Sequence, residues 1–260
     1  MISIVIRNKN EAIYLDRILS ILENQYSDDI NEIIVVDNKS TDGSIVVANK
    51  YNCKIVTIDT FSYGKAINIG INEAKNDFVL LLSAHAIPIG NSFFKNSMQF
   101  IADKKDFAGL RYINSIENYE RALENKFRVK KPLEYGLMAA CCMVSKKVWL
   151  QFPFNEELVF SEDKEWSNRV TKVGFGIYEM NESFFYFIKR TTKSDLDRFK
   201  NETIANYQLF NKKSPSGLKI IFSFLKKIVI TNTLVFFKTI SSDYKIAKIK
   251  FKICKVTNKK

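Results

Sequence analysis

The sequence predicts an α/β fold, a mostly parallel sheet flanked by helices, followed by a basic amphipathic C-terminal extension. Three observations carry this. Short β-branched apolar runs alternate with helix-period segments through the first third of the chain, the pattern of parallel strands joined by crossover helices. The runs are apolar throughout, as in strands buried on both faces. Charge is partitioned: residues 212–260 hold thirteen Lys and one Asp, whereas the other 211 residues hold 27 basic and 27 acidic groups. The net charge of +12 therefore belongs to the extension, and the boundary predicts two parts, 1–211 and 212–260.

The first strand is ISIVI (2–6), after which Leu15, Ile18, Leu19 and Leu22 recur at helical spacing. The second, Ile33–Val36, ends at Asp37 and runs into Ser40-Thr41-Asp42-Gly43, residues suited to cap a helix over Ile45–Tyr51. Asp37 thus sits where a parallel strand ends, the edge at which open α/β sheets bind ligands, although a turn or capping Asp is the alternative. Lys54–Ile58 reads as a third strand, Lys65–Ala74 as a helix and Phe78–Leu82 as a fourth buried strand. Phe107–Tyr135 is charged and less regular, which fits either the edge of a cleft or a solvated excursion. An apolar segment (Leu137–Val144) and a short helix (Lys146–Gln151) precede FPFNEELVFSEDKEWSNRVTKVG. There Ser161 is placed to cap a helix carrying Glu162 and Asp163 in its first turn, and Gly174 to end it.

The N-terminus has no basic n-region and no long apolar core, so a secretory leader is not expected. Cys53, Cys141, Cys142 and Cys254 lack the spacing of a metal site or a disulfide framework. Cys141 and Cys142 are expected to be small buried residues in a reducing, cytoplasmic compartment. There is no P-loop, and GFGIYE (174–179) is not a dinucleotide fingerprint.

Four segments in order, ISIVIRNKNEAIYLDRILSILENQ, EIIVVDNKSTDGS, FSYGKAINIGINEAKNDFVLLLSAHAIP and FNEELVFSEDKEWSNRVTKVG, resemble family 2 glycosyltransferases of the GT-A (Rossmann-like) fold. The AHAIP and EDKEW pieces look most like a bacterial rhamnosyltransferase-like subgroup. The resemblance implies transfer of a hexosyl or deoxyhexosyl unit from a nucleotide-sugar donor to a hydroxyl acceptor with inversion. It places the base and ribose at the Arg7–Glu11 loop (Arg7, Asn10, Glu11) and at Asp37, with Lys65 and Asn68 of GKAIN near the nucleotide and diphosphate. A solvated helix-start lysine is the alternative for Lys65. Where the family carries a metal-binding Asp-x-Asp, this chain reads Ser83-Ala84-His85. His85, the only histidine, is either a contact to a divalent cation or to the diphosphate, or a structural group. Its imidazole suits Mn²⁺ better than Mg²⁺. Asp163 matches the catalytic base. Glu162 reads as a helix cap or an acceptor contact, and Trp166 as a sugar platform or a core residue. Phe187 stands near the place of a further family histidine, and Lys189 and Arg190 beside it are candidates to neutralise the leaving diphosphate.

In the extension, the uncharged run Ile228–Phe237 is about half the ~20 residues a membrane span needs. A segment lying in the bilayer interface fits better, with Phe222, Phe224, Phe236 and Phe237 in the acyl boundary and lysines toward anionic headgroups. A helix packed on the catalytic domain is the alternative, and KIAKIKFKICKV suits helix or strand. The absence of Arg and the large apolar face argue against nucleic acid. The expected partners are a nucleotide-sugar, a glycan or lipid-linked acceptor and an anionic membrane surface at the inner face of the cell. The rival reading is a non-catalytic nucleotide-binding or membrane-tethered scaffold of the same fold.

Overall fold

The computed structural model describes residues 1–257. Its first half runs β1 (Ile2–Asn8), α1 (Ala12–Tyr26), β2 (Ile30–Asp37), α2 (Ser44–Lys50), β3 (Lys54–Thr57), α3 (Tyr63–Glu73), β4 (Phe78–Ser83), β5 (Ala86–Pro88) and α4 (Phe93–Ile101). Then come β6 (Phe107–Ile113), α5 (Ile116–Glu124), α6 (Pro132–Tyr135), β7 (Cys141–Ser145), α7 (Lys146–Gln151), α8 (Glu162–Lys172), β8 (Gly176–Tyr186) and α9 (Thr192–Phe210). The C-terminal part is helical: α10 (Gly217–Lys226), a π-helical segment (Lys227–Asn232) and α11 (Thr233–Thr257). The chain divides into two compact units, Met1–Asn211 and Lys212–Lys260.

The eight strands form one sheet in the order β3-β2-β1-β4-β7-β6-β8-β5. Pairs β1–β2, β1–β4, β2–β3 and β6–β8 are parallel; β7 runs antiparallel to both β4 and β6, and β5 to β8. Strand alternation splits the core into two layers. Ile2, Ile4 and Ile6 of β1 pack with Leu15, Ile18, Leu19 and Leu22 of α1, all fully buried. Val5 faces the other layer with Ala66, Ile67 and Ile71 of α3. There α3 approaches the sheet so closely that a Cβ on Gly70 would lie 2.2 Å from Val5 Cγ1. Cys141 and Cys142 point into opposite layers, and burial raises both thiol pKa values.

Three local expectations change. The start of the stretch from Phe107 is no solvated excursion: β6 is buried along its length between β7 and β8, whereas most of 114–135 is exposed or half-exposed. Its one charge, Arg111, stands in register with Glu179 of β8, Nε 3.9 Å from Oε1, a carboxylate 68 residues away in sequence that it shares with Arg121. Ser161 does not cap α8 through its side chain; it takes a left-handed conformation (φ 64°) at the helix start. The sequence KIAKIKFKICKV is helix, not strand.

In the second unit the helical run Gly217–Cys254 is long and apolar enough, by length and composition, to cross a membrane, and none of its most apolar window is buried. Phe222, Phe224, Phe236 and Phe237 are all exposed. Lys238, Lys245, Lys248 and Lys252 fall on one face of α11 at 3.6 residues per turn.

Candidate active site

Parallel strands that end together leave a crevice beyond their C-terminal ends. Here the loops after β1, β2 and β4 meet there and are tied by side chains. Asp37 is 1% exposed, and its carboxylate accepts from Asn8 Nδ2 (2.8 Å), Ser40 N (2.8 Å) and Ser40 Oγ (2.6 Å). Asn10, at φ 54°, accepts from Thr41 N at 2.7 Å. Asp42 binds both Ser44 N (3.1 Å) and Ala12 N (2.8 Å), so it holds the start of α1 as well as that of α2. Asp37 and Asn10 thus brace the loops from behind. Asn8 lines the crevice, and its Oδ1 is buried without a donor.

The crevice opens into a cavity of about 870 Å³. Arg7, Glu11, Ser83 and His85 line one side, and Ser161, Glu162 and Asp163 at the start of α8 line another. Arg190, Lys193 and Arg198, with Asp197 and Asn201 of α9, complete the wall. Arg7 reaches across: Nη1 lies 3.4 Å from Glu162 Oε1, Nη2 donates to the Ala139 carbonyl (3.1 Å), and the guanidinium stands 5.4 Å from the Tyr63 ring centre. His85 Nε2 lies 3.2 Å from Glu11 Oε1, its ring packs on Tyr14 at 4.3 Å, and its Nδ1 is buried without a partner.

The two adjacent acids differ in environment. Glu162 is almost fully buried, and desolvation, then the charge of Asp163, push its carboxyl up to about 7 against the pull of Arg7. Asp163 is half-buried; Oδ2 accepts from Ala139 N and Oδ1 from Lys164 N, both at 2.8 Å. Each oxygen of Asp163 keeps a lone pair for a ligand hydroxyl.

Of the residues singled out from sequence, Arg7, Glu11, Ser83, His85, Glu162 and Asp163 share the cavity; Arg190 does, whereas Lys189 and Phe187 do not line it. Three others stand elsewhere. Trp166 is fully buried, stacked on Phe154 at 5.0 Å with its Nε1 on the Phe152 carbonyl, so it is a core residue without a face for a sugar. Asn68 spends its amide on Phe154 O and Glu156 and accepts from Trp149 Nε1 and Phe154 N, all at 2.9 Å. Lys65 extends to Thr60 Oγ1 at 2.6 Å, away from the cavity. Sequence reasoning missed Tyr63, Arg111, Lys193 and Arg198, and pointed to Asn8 only through the Arg7–Glu11 loop. For α9 a signal existed: Ser194, Asp197, Arg198 and Asn201 recur at i, i+3, i+4, i+7, a polar face turned to the cavity.

A resident cation does not fit these side chains. His85 and Glu11 supply one imidazole and one carboxylate that face each other, and no group of three or more His, Cys, Asp or Glu is gathered for a metal among the described residues. That is short of the shell a divalent cation takes. Asn8 Oδ1 and His85 Nδ1, buried at this cavity without partners, instead suit a ligand that brings N–H or O–H groups.

The family model described as Glycosyl transferase family 2 matches residues 3–180. A curated relative from Methanococcus voltae, dolichyl N-acetyl-alpha-D-glucosaminyl phosphate 3-beta-D-2,3-diacetamido-2,3-dideoxy-beta-D-glucuronosyltransferase, is 28% identical over 90% of this chain and 83% of its own length. Among solved structures, the mannosyltransferase PcManGT of Pyrobaculum calidifontis, in complex with GDP-Man and Mn²⁺, superposes with a TM-score of 0.65 at 13% identity. That match covers 83% of this chain and spans 65% of the mannosyltransferase. Glucosyl-3-phosphoglycerate synthase of Mycobacterium tuberculosis, bound to Mn²⁺, UDP and glucosyl-3-phosphoglycerate, gives 0.61 at 14% identity, over 84% of this chain and 81% of its own. At these identities the structures share the fold, an α/β sheet of GT-A type.

Proposed function

The chain belongs to glycosyl transferase family 2, and on that premise we propose that it moves a hexosyl or deoxyhexosyl unit from a nucleotide-sugar to a hydroxyl of a lipid-linked or cell-surface glycan, with inversion. One observation carries this reading: Asp163, with a free lone pair on each oxygen, faces the same cavity as the β1 and β4 loops. The acceptor hydroxyl bonds to Asp163 and attacks the anomeric carbon in line. The bond from that carbon to the diphosphate oxygen breaks, and the hydroxyl proton passes to Asp163. Arg7, Asn8, Glu11 and Ser83 contact the donor, while Asp37 and Asn10 hold that loop in place. Arg7, Arg190, Lys193 and Arg198 supply the positive charge that the leaving diphosphate requires. A cation that enters with the donor's phosphates would meet His85 and Glu11, and no step depends on it here. Residues 212–260 lie along the anionic inner face of the cell membrane, lysine face to headgroups, where a lipid-linked acceptor resides. Two lysines (Lys226, Lys227) inside the apolar stretch make a full span costly, about 2.5–3.5 kcal/mol each near a bilayer centre.

The test is thermal unfolding with UDP, GDP, CMP and dTDP, each with and without Mn²⁺. A nucleotide at 100 times its Kd stabilises by about 2.7 kcal/mol. A selective rise with one nucleotide is expected, and a rise only with Mn²⁺ present would show a cation carried in with the phosphates. No response to any nucleotide overturns the reading in favour of a membrane-tethered scaffold.

A further inference from the structure

The segment Gly136–Ala140 crosses behind the start of α8 as a short strap, and side chains grip its backbone on both sides. From α8, Asp163 Oδ2 accepts from Ala139 N (2.8 Å) and Ser167 Oγ from Leu137 N (2.9 Å). Ser167 Oγ also donates to the Asp163 carbonyl at 2.6 Å, so the two helix residues and the strap form one closed unit. The fit is tight: a Cβ on Gly136 would lie 2.4 Å from Pro132 O and 2.8 Å from Ser167 Cβ. From the sheet side, Arg111 Nη1 donates to the Gly136 carbonyl. Arg111 Nε stands 3.9 Å from fully buried Glu179 Oε1, whose close partner is Arg121.

A buried ion network is a poor source of net stability, since desolvation offsets the attraction between the charges. This one spends its geometry on a backbone carbonyl three residues from the amide that orients Asp163. We propose that the Gly136–Ala140 strap sets the aim of the Asp163 carboxylate, and that Arg111 is the positioning residue that fixes the strap. The proposal rests on Asp163 as the base. Arg111 touches no reacting atom in this scheme; it acts through Gly136, Ala139 and then Asp163. Lys164 N holds Oδ1 from within α8, so Ala139 N is the contact that ties the carboxylate to the strap; when the strap drifts that contact goes, and base catalysis falls steeply with misplacement of the reacting groups.

The test compares the full chain with Arg111→Gln, Arg111→Lys and Ser167→Ala. Two readouts are taken: amide hydrogen exchange at 137–139, and nucleotide release from UDP-, GDP-, CMP- and dTDP-sugars (a nucleoside diphosphate, or CMP from the CMP-sugar). Arg111→Gln is expected to speed exchange at 137–139 tenfold or more. It should lower kcat at least thirtyfold while leaving the donor KM within threefold, and Lys should recover most of kcat. Should Arg111→Gln fail to fold, Ser167→Ala reports on the same strap from the helix side, with an expected tenfold loss of kcat. Unchanged exchange in these variants overturns the proposal whatever the turnover. Loosened exchange with wild-type kcat also overturns it, because the strap would then not aim Asp163. Strap protection lost on Arg111→Gln in a protein whose wild type turns over no donor overturns the transferase reading, and with it any catalytic aim of the strap, and leaves Arg111 as the holder of the strap.

Discussion

Replacing Asp163 by Asn removes the proposed proton acceptor with the smallest change of shape. The structural cost follows from two hydrogen bonds. Asp163 accepts Ala139 N at Oδ2 and Lys164 N at Oδ1, and Asn presents an NH₂ to one of those two amides. One buried donor is thus left facing a donor, a cost of roughly 1–3 kcal/mol, which a domain of ordinary stability (about 5–15 kcal/mol) survives. The catalytic cost is larger. General-base assistance contributes about 10²–10⁴-fold, equivalent to roughly 2.7–5.4 kcal/mol of barrier. Nucleotide affinity should stay within about threefold, because Asp163 stands across the cavity from the β1 loop. The assay is nucleoside diphosphate release in the presence of acceptor, with nucleotide Kd taken from thermal shifts of the same variant. A kcat within tenfold of wild type, at unchanged Kd, would refute the assignment of Asp163 as base.

Three further outcomes are expected. Glu162 has a folded-state pKa of about 7 against an ordinary 4.5, so the folded chain keeps a proton that the unfolded chain releases between those values. Stability from this group therefore falls as pH rises from about 4.5 to 7; Glu162→Gln should flatten that slope, read from Tm at pH 5 and pH 8, and an unchanged slope would refute the raised carboxyl. Trp166→Ala should cost about 3–5 kcal/mol of stability, because the side chain is fully buried on Phe154; a normal Tm with a raised acceptor KM would instead restore the sugar-platform role. Changing Lys238, Lys245, Lys248 and Lys252 together to Glu should abolish co-sedimentation with phosphatidylserine vesicles, since each lysine near an anionic surface contributes about 1 kcal/mol; retained binding would show that the apolar face alone anchors the tail.

Periodic, local features were legible in the sequence. Leu15, Ile18, Leu19 and Leu22 announce α1 because residues three and four apart share a helix face, and that rule needs no knowledge of the partner surface. The same holds for the buried runs of β1, β2 and β4, and for the boundary in charge at residue 212. The place of Asp163 in the first turn of a helix was legible through a motif. What stayed hidden is pairing between distant residues. Arg111 read as part of a charged excursion because its counter-ion, Glu179, lies on a strand that only the sheet order brings alongside. Asn68 and Trp166 looked available for ligands until α7 and the 152–156 segment closed over them. The sequence by itself determined the alternating strands and helices up to β4, where the basic tail begins and that Glu162 and Asp163 stand at the start of α8. Only the tertiary structure decided which polar groups are spent on the protein and which face the cavity. The Arg7–Glu162 contact joins residues 155 positions apart, and no local period encodes such a pairing.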